Sequence, residues 1–181
     1  MSYSKLVTAL EAYNLTTKGG GSDFAQVIAA CESFGPYCLI GGLAVNCYVE
    51  PVYTLDADIV VVAHRLSSLS EHLRQRGFTI ETHPHSLNAR PPGSQLRIQF
   101  STDERYQAFL ARSEEREVLG QRVRVACLED AALGKLWAYS DSQQRLRKRK
   151  ENELDLMRLA ETHPELKSMY PPDLLQQLSG I

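Results

Sequence analysis

The sequence predicts an α+β fold in which a mixed β-sheet is covered by flanking helices. Short β-branched or alternating segments in the middle of the chain are typical of strands. Segments with apolar residues at helical spacing precede and follow them, and no repeat or linker divides the chain. At 181 residues the chain has the length of one compact domain. We therefore expect a single domain over residues 1–181, with a core at about 22–127 and C-terminal helices at 128–181.

Composition excludes several classes of protein. The formal net charge of −2 gives no general attraction to nucleic acids or acidic membranes. The N-terminus lacks the apolar core of a secretory signal, and no stretch approaches 18 consecutive apolar residues, so we expect no membrane span. The four cysteines (Cys31, Cys38, Cys47 and Cys127) form no C-x-x-C pair and lie in apolar stretches. We expect buried, reduced thiols in a cytoplasmic protein rather than a zinc site or a disulfide framework.

The N-terminal third of the sequence is predicted to form helices around one short strand. Residues 4–13 form a short amphipathic pattern, and a second helix follows the run Gly19-Gly20-Gly21, with Ser22 as its N-cap. Gly35-Pro36 ends that helix. A strand is then expected at residues 37–40, and a helix at 43–49 that begins directly after Gly41-Gly42.

The middle of the chain supplies most of the sheet. Residues 58–62 are apolar on both faces, which is typical of a central strand. Leucines at helical spacing and the C-cap Gly77 predict a helix before a strand at 78–81. Residues 83–94 contain three prolines and no periodicity, which indicates a loop, whereas residues 95–100 alternate cleanly as a strand should.

The C-terminal part predicts a hairpin and then helices. The expected elements are strands at residues 117–119 and 123–126 joined around Gly120-Gln121, and helices at 128–139, 143–162 and 174–178.

Two carboxylates, Asp56 and Asp58, stand at the start of the apolar strand. Residues i and i+2 of a strand project to the same face, about 6 to 7 Å apart along it. Ionised carboxylates this close repel each other unless a cation lies between them. Magnesium suits such a place because it binds one or two carboxylates together with phosphate oxygens. The pattern therefore predicts a metal site at Asp56 and Asp58.

Gly41 and Gly42 lie at the start of a predicted helix in the preceding segment. The start of a helix offers unpaired backbone N–H groups, and glycine lets a phosphate approach closely. A metal site beside a phosphate site indicates phosphoryl or nucleotidyl transfer.

These residues resemble a known family signature. The segment IGGLAVNCYVEPVYTLDADIVV is similar to that of the nucleotidyltransferase superfamily with the DNA polymerase beta-like fold, especially its small prokaryotic branch, which includes abortive-infection toxins. The matching residues are Gly41, Gly42, Thr54, Asp56 and Asp58. RVACLEDAALGKLWAY resembles the branch's helix with a central lysine, here Lys135, and RLRKRKENELDLMRLAE resembles the helix after it. The resemblance covers roughly residues 25–162.

The resemblance implies an activity. A nucleoside monophosphate would pass from an NTP to a hydroxyl of a protein, RNA or small molecule, with Mg²⁺ or Mn²⁺ as cofactor. Asp56 and Asp58 would hold the metal, and the residues that bind phosphate or nucleotide would be Gly41, Gly42, Thr54 and Lys135. The implied partners are the NTP, the acceptor and, for the toxin branch, an antitoxin or regulatory protein, with no membrane.

The sequence departs from the family at the third catalytic position, where Gln99 stands in place of an aspartate. A glutamine can coordinate a cation but cannot act as an anionic base. Asp103 could replace it only if the strand bends. Asn152 also stands where an aspartate is usual, although Asp155 remains. The alternative to an active enzyme is therefore a degenerate nucleotide-binding or regulatory module.

Two basic features leave alternatives open. Lys135 shares the inward face of its helix, where it either extends its ammonium to solvent or reaches an anionic ligand. The run of Arg145, Arg147, Lys148, Arg149 and Lys150 is either a solvated face paired with neighbouring glutamates or a basic rim for a triphosphate or RNA.

Overall fold

A mixed sheet of seven strands organises the protein within residues 8–179, the range that the computed structural model describes. The strands are β1 (Tyr37–Ile40), β2 (Asp56–Val61), β3 (Thr79–His83), β4 (Ser86–Arg90), β5 (Arg97–Ser101), β6 (Glu114–Val118) and β7 (Gln121–Val125). Their spatial order is β3-β4-β5-β2-β1-β7-β6. The central strand β2 runs antiparallel to β1 and parallel to β5. The predicted α+β class with a mixed sheet is confirmed.

Helices cover both faces of the sheet. They are α1 (Ala9–Thr17), α2 (Gly20–Phe34), α3 (Gly41–Val45), α4 (Ala63–Gln75), α5 (Glu104–Arg112), α6 (Leu128–Ser140), α7 (Leu146–Thr162) and α8 (Pro172–Ser179), with a 3-10 helix at Pro164–Met169. The main core packs α1, α2 and α4 against one face. Smaller cores pack α5 and α6 on the other face, and join α6 to α3, α7 and α8. The site described below lies on this second face.

The first helix begins later than predicted. Thr8 is its N-cap and forms a capping box with Glu11, so the helix starts at Ala9 and continues to Thr17. Residues 4–7 of the predicted helix lie outside the described residues. The prediction located a helix here but not its boundaries.

The prediction that Ser22 is the N-cap of α2 is wrong. The helix begins at Gly20, whose N–H donates to Thr17 Oγ1 at 2.8 Å, and the N–H of Gly21 donates to Asn14 Oδ1 at 2.9 Å. A Cβ at Gly20 would lie 2.6 Å from Thr17 Oγ1. The glycines therefore let side chains of α1 cap α2, which a reading of local sequence does not reveal.

The prediction of a loop over residues 83–94 is wrong in its middle. Ser86–Arg90 forms β4, which pairs with both β3 and β5. Leu87 and Ala89 point into the core while the residues between them do not. Only two apolar residues carry this alternation, and the prolines flank the strand rather than interrupt it, so the pattern was too short to detect.

Other predicted strands are confirmed. Residues 37–40 are β1 as expected, and the burial of β5 alternates between buried Ile98 and Phe100 and exposed Arg97 and Gln99. The hairpin of β6 and β7 turns at Leu119-Gly120, where both residues have positive φ, as a tight hairpin turn requires. β2 starts at Asp56, so both aspartates belong to the strand.

The expectation of buried thiols is met by two of the four cysteines. All four cysteines are free; Cys31 and Cys38 are buried, while Cys47 and Cys127 are only partly buried. Within residues 8–179, none of the helices has the length and apolarity that a membrane crossing requires.

Candidate active site

The two aspartates lie on the open face of the central strand. Alternation along β2 sends Ala57 and Ile59 into the main core, so Asp56 and Asp58 face the opposite side, toward α6 and α7. In the parallel pairing with β5, Asp58 lies beside Gln99 and Asp56 beside Arg97. The structure thus brings together three residues that the sequence analysis selected for catalysis.

Gly41 allows Asp58 to lie against the start of α3. Its φ is +72°, and a Cβ there would lie 2.2 Å from Asp58 Oδ2. At Gly42 the nearest atoms to a Cβ belong to Thr54, at an ordinary 3.7 Å. Thr54 itself accepts a hydrogen bond from the Asp56 N–H at 3.2 Å. Both glycines and Thr54 therefore lie next to the aspartate pair, as predicted.

Replacing Gly41 with alanine should distort the site. The substitution forces a left-handed backbone onto alanine and pushes the Asp58 carboxylate away, so we expect a loss of about 1–3 kcal/mol in the free energy of unfolding. Gly42→Ala is the matched control, since its Cβ meets only normal contacts. Chemical denaturation of both variants measures the difference. Equal stability of the two would show that Asp58 does not press on Gly41.

Asp58 carries an uncompensated carboxylate. The residue is partly buried, and burial raises the pKa of its carboxyl above the ordinary value, although Lys148 and Lys135 oppose the shift. Asp56 adds repulsion that raises the pKa further. Among residues 8–179, no donor forms a hydrogen bond or ion pair with this carboxylate. A buried carboxylate without a partner is a ready ligand for a cation.

Asp56, in contrast, is held by two cations. Arg97 Nε lies 2.6 Å from Asp56 Oδ1, and Lys148 Nζ lies 3.6 Å from Oδ2. Burial disfavours the charged form of Lys148, but the neighbouring carboxylates of Asp58, Asp56 and Glu151 outweigh it and raise its pKa. The ion pair with Arg97 was not foreseen, because it depends on the register between β2 and β5.

Lys135 is buried and already paired. Its Nζ lies 2.7 Å from Asp155 Oδ2 and donates to Asn152 Oδ1 at 3.2 Å. The ammonium does not reach solvent, so the first alternative drawn from the sequence is wrong, whereas an anionic ligand for Lys135 stays a prediction. Lys135 nevertheless lines the cleft beside Asp58. The carboxylate of Asp155, on α7 across the interface with α6, compensates the charge of the buried Lys135 ammonium.

A cleft with three connected lobes surrounds Asp58 and Lys148. The outer lobe, about 440 Å³, lies against β4 and β5 and is lined by Arg90, Arg97, Gln99, Arg145 and Arg147 among others. The inner lobe, about 210 Å³, reaches under α5 and α6 and is lined by Gly41, Gln99, Tyr106, Lys135 and Asn152 among others. The glycine lobe, about 350 Å³, is lined by Gly42, Tyr53, Thr54, Lys135 and Asp155 among others. All of the predicted site residues line at least one lobe.

The basic run at the start of α7 shows features of both alternatives, since Arg147 and Lys148 pair with Glu151 and also line the cleft. Arg145, Arg147 and Lys148 line the outer lobe, while Lys150 turns away to pair with Glu153 at 2.7 Å. The start of α7 therefore places positive charge beside the two aspartates. Such a wall favours an anionic ligand.

Asp103 does not replace the missing third carboxylate. It caps α5 by accepting a hydrogen bond from the Arg105 N–H at 2.9 Å, and it forms an ion pair with the guanidinium of Arg105. Those interactions lower its pKa. Helix α5 itself was not predicted, and it brings Tyr106 into the inner lobe. The acidic residue before a short apolar pattern was the signal that could have located it.

The residues present suit one divalent cation rather than two. No cluster of three or more histidine, cysteine, aspartate or glutamate side chains that could hold a metal occurs in the described range. Two carboxylates on one strand, one of them unpaired, still fit a magnesium ion whose remaining ligands are phosphate oxygens and water. Arg97 competes with such an ion for Asp56.

Solved structures share this architecture. No protein-family model matches the sequence, and no curated protein is significantly similar to it. The solution structure of the antibiotic-resistance factor ANT(2″)-Ia aligns with 83% of this chain and 90% of its own, at 15% identity and a TM-score of 0.58. A crystal structure of ANT(2″)-Ia in complex with adenylyl-2″-tobramycin aligns with 84% of this chain and 99% of its own, at 15% identity and a TM-score of 0.52. The lincosamide antibiotic adenylyltransferase LnuA, bound to lincomycin, aligns with 77% and 94%, at 13% identity and a TM-score of 0.53.

At such identities the similarity establishes the fold. The chain has the nucleotidyltransferase fold, with its mixed sheet and flanking helices, as the resemblance implied. The similarity carries no information on the particular toxin branch.

Proposed function

We propose that the protein is a magnesium-dependent nucleotidyltransferase that transfers a nucleoside monophosphate from an NTP to a hydroxyl group. The observation that carries the proposal is the unpaired Asp58 carboxylate, which lies beside Asp56, against Gly41, in a cleft with a cationic rim. Small molecules are the favoured class of acceptor, because the similar enzymes named above adenylylate antibiotics. Protein and RNA hydroxyls remain alternatives.

Different residues would bind the metal ion and the phosphate groups. Asp56 and Asp58 would hold the metal ion, which when bound would place positive charge beside the phosphoryl group. The start of α3 at Gly41 and Gly42 would offer backbone N–H groups to the triphosphate. Lys148, whose Nζ lies 3.6 Å from Asp56 Oδ2, would pair with a phosphate oxygen instead. The acceptor oxygen attacks the α-phosphorus, the bond from that phosphorus to the bridging oxygen breaks, pyrophosphate leaves, and the hydroxyl proton passes to solvent water. Gln99 orients the acceptor hydroxyl through its amide but cannot take its proton.

Transfer of a labelled nucleotide tests the proposal directly. Each NTP, labelled at its α-phosphate, is incubated with the protein, Mg²⁺ and acceptors of each class: aminoglycosides, lincosamides, RNA and protein. We expect label on an acceptor with the wild type, and none with Asp58→Asn or after chelation of the metal. Labelling that persists in Asp58→Asn would contradict the assignment, as would its absence from every wild-type reaction.

A second candidate function is nucleotide binding without transfer. It is favoured by Gln99 in the third catalytic position and by the ion pair between Arg97 and Asp56, which neutralises one metal ligand. In this case the protein would be a regulatory module, and an antitoxin or regulatory partner stays a prediction of the family resemblance. Either function suits the cytoplasm, where NTPs and Mg²⁺ are abundant and thiols stay reduced.

Gln99→Asp separates the two candidates. A carboxylate beside Asp58 supplies the missing base, and general-base catalysis is typically worth about 10²–10⁴-fold. We expect turnover to rise at least about 10-fold while NTP affinity changes little. Gln99→Asn is the control, since an asparagine side chain has the length of an aspartate side chain without its charge. If the wild type turns over slowly and Gln99→Asp is faster, the protein is a weakened enzyme. If the wild type shows no turnover and Gln99→Asp is active, the wild type is a binding module.

A further inference from the structure

Two arginines that line the outer lobe have no partner. Arg90 is the last residue of β4, and Arg145 is the N-cap residue of α7. Among residues 8–179, no acceptor forms a hydrogen bond or an ion pair with either guanidinium. The other three cations of the lobe are paired with carboxylates: Arg97 and Lys148 with Asp56, and Arg147 with Glu151. Five cations and three carboxylates line the lobe, so its walls carry a formal excess of two positive charges.

The start of α7 makes this positive excess more unfavourable. Backbone N–H groups at the start of a helix carry partial positive charge, which favours acidic residues there. The first turn of α7 contains no acidic residue, and no side chain of the described residues caps it. Instead, Arg145, Arg147 and Lys148 lie at this helix end and line the lobe. An anion in the lobe would compensate both the guanidinium groups and the helix end.

The outer lobe lies on the acceptor side of the two aspartates. Gly41 and Gly42, at which the triphosphate is predicted to bind, line the other two lobes and not this one. Gln99, at the third catalytic position, lines the outer lobe together with Asp56 and Asp58. In an in-line displacement the attacking and leaving oxygens lie on opposite sides of the phosphorus. An anion in the outer lobe would therefore belong to the acceptor rather than to the NTP.

The size and the lining of the outer lobe favour a small molecule over RNA. Its volume of about 440 Å³ falls within the range of small-molecule sites, about 300–1,000 Å³. Proteins hold single-stranded RNA with aromatic side chains on which the bases stack. None of the described residues that line this lobe is aromatic. The lobe thus suits charged oxygen atoms and offers no surface for a base.

We propose that the outer lobe is the acceptor site for a small hydroxyl compound that carries carboxylate or phosphate groups, and that Arg90 and Arg145 bind those groups. The inference rests on the proposed function, because it names the class of acceptor for the same transfer. Guanidinium groups from two different walls each pair with a carboxylate or phosphate oxygen. The same positive charges repel polycationic aminoglycosides.

Binding of fructose 1,6-bisphosphate tests the site without requiring transfer. Isothermal titration calorimetry compares the wild type with Arg90→Gln/Arg145→Gln, which should fold normally because neither guanidinium has a partner to lose. Arg74→Gln/Arg122→Gln, on α4 and β7, removes the same charge away from the cleft. We expect the affinity to fall at least about tenfold in the first variant, since hydrogen bonds to charged groups are lost. The second variant should change it less than about twofold, because distant exposed charges are screened.

A second titration, with Mg²⁺ and a saturating non-hydrolysable NTP analogue, separates the acceptor site from the nucleotide site. We expect the bisphosphate still to bind, and fructose, its neutral counterpart, to bind at least about tenfold more weakly. Displacement of the bisphosphate by the NTP analogue would overturn the inference. Absence of binding to the wild type, or an equal loss in both double variants, would overturn it as well.

These outcomes are independent of transfer activity. If the bisphosphate binds, is weakened by Arg90→Gln/Arg145→Gln and is not displaced by the NTP analogue, the anion site stands even where no transfer is found. A single-stranded RNA oligonucleotide that binds more tightly than the bisphosphate, and loses the same affinity in that variant, would show that the lobe serves RNA and would overturn the proposal.

Discussion

Replacing Asp58 with asparagine is expected to abolish nucleotidyl transfer and, at the same time, to raise the stability of the ligand-free protein. Loss of a metal ligand removes several kcal/mol of transition-state stabilisation, so activity should fall at least about 100-fold. The gain in stability has a separate cause. Asp58 is a carboxylate that burial destabilises and that no donor in residues 8–179 contacts. A neutral amide of the same shape removes the cost of burying the charge and the repulsion from Asp56.

The size and sign of the stability change follow from the environment of Asp58. An unsatisfied buried polar group costs about 1–3 kcal/mol, and the partial exposure of Asp58 favours the lower end. A gain of about 1 kcal/mol should raise the melting temperature by about 2–4 °C for a chain of this length. Thermal melts of ligand-free wild type and Asp58→Asn measure it.

The advantage of Asp58→Asn should depend on pH. Because burial raises the pKa of Asp58 in the folded state, wild-type stability falls as pH rises from the ordinary carboxyl pKa through the raised value. The variant does not titrate at this position. Its advantage should therefore increase as pH rises through the raised pKa of Asp58 and should disappear toward about pH 4, near the ordinary pKa of an aspartate. Urea titrations at a series of pH values give the difference.

Asp56→Asn is the matched control on the same strand. Asp56 is paired with Arg97 and Lys148, so its replacement removes favourable contacts, with a loss of up to about 1 kcal/mol. The two variants should shift stability in opposite directions at neutral pH. A lower melting temperature for Asp58→Asn would mean that the carboxylate is satisfied in solution, and the proposed cation site would lose its main support.

The features that the sequence predicted are those that depend on local geometry. Alternation along one strand was enough to put Asp56 and Asp58 on one face. The glycines before a short helix were predicted to admit a phosphate, and the side chain that lies against Gly41 in the structure is that of Asp58. The position of Gln99 followed from alternation in the next strand of the site. These inferences needed only the period of a strand and the freedom of glycine.

The features that escaped prediction depend on how distant segments dock. Arg97 reaches Asp56 only because β2 and β5 pair in one particular register. The partner of Lys135 comes from α7, and nothing in the spacing of α6 reveals which residue faces it. These two cases are tertiary contacts between side chains far apart in the chain. Helix α5 is different, because Asp103 before Tyr106 and Phe109 was a local signal that the sequence analysis overlooked.

Asp155→Ala should cause the largest loss of stability. Asp155 Oδ2 lies 2.7 Å from Lys135 Nζ, and its Oδ1 accepts a hydrogen bond from Arg158 Nη1 at 2.7 Å. Lys135 and Arg158 are 8% and 13% exposed in their side chains. Removing the carboxylate leaves two enclosed cations without their anion, which typically costs about 3–5 kcal/mol. The loss of stability should extend to the segment after α3, because Arg158 also donates a hydrogen bond to the Glu50 carbonyl there.

The control for Asp155→Ala is Glu151→Ala on the same helix. Glu151 pairs with Arg147 at 2.9 Å, but its side chain is 42% exposed and that of Arg147 is 89% exposed. Its loss should cost less than about 1 kcal/mol. The free energies of unfolding of the two variants, measured with denaturant, should therefore differ clearly. A similar, small loss of unfolding free energy in both would show that water reaches the Lys135–Asp155 pair.

The pair of Lys135 and Asp155 also connects stability to the phosphate-binding role that we predict for Lys135. Asp155→Ala removes the main anion that holds Lys135, and the ammonium then has a free donor beside the inner lobe. Pyrophosphate with Mg²⁺ would satisfy the stranded charge, so it should raise the melting temperature of Asp155→Ala more than that of the wild type. An equal rise in both proteins would mean that Lys135 does not take part in binding the anion, and that Asp155 serves the packing of α6 against α7 alone.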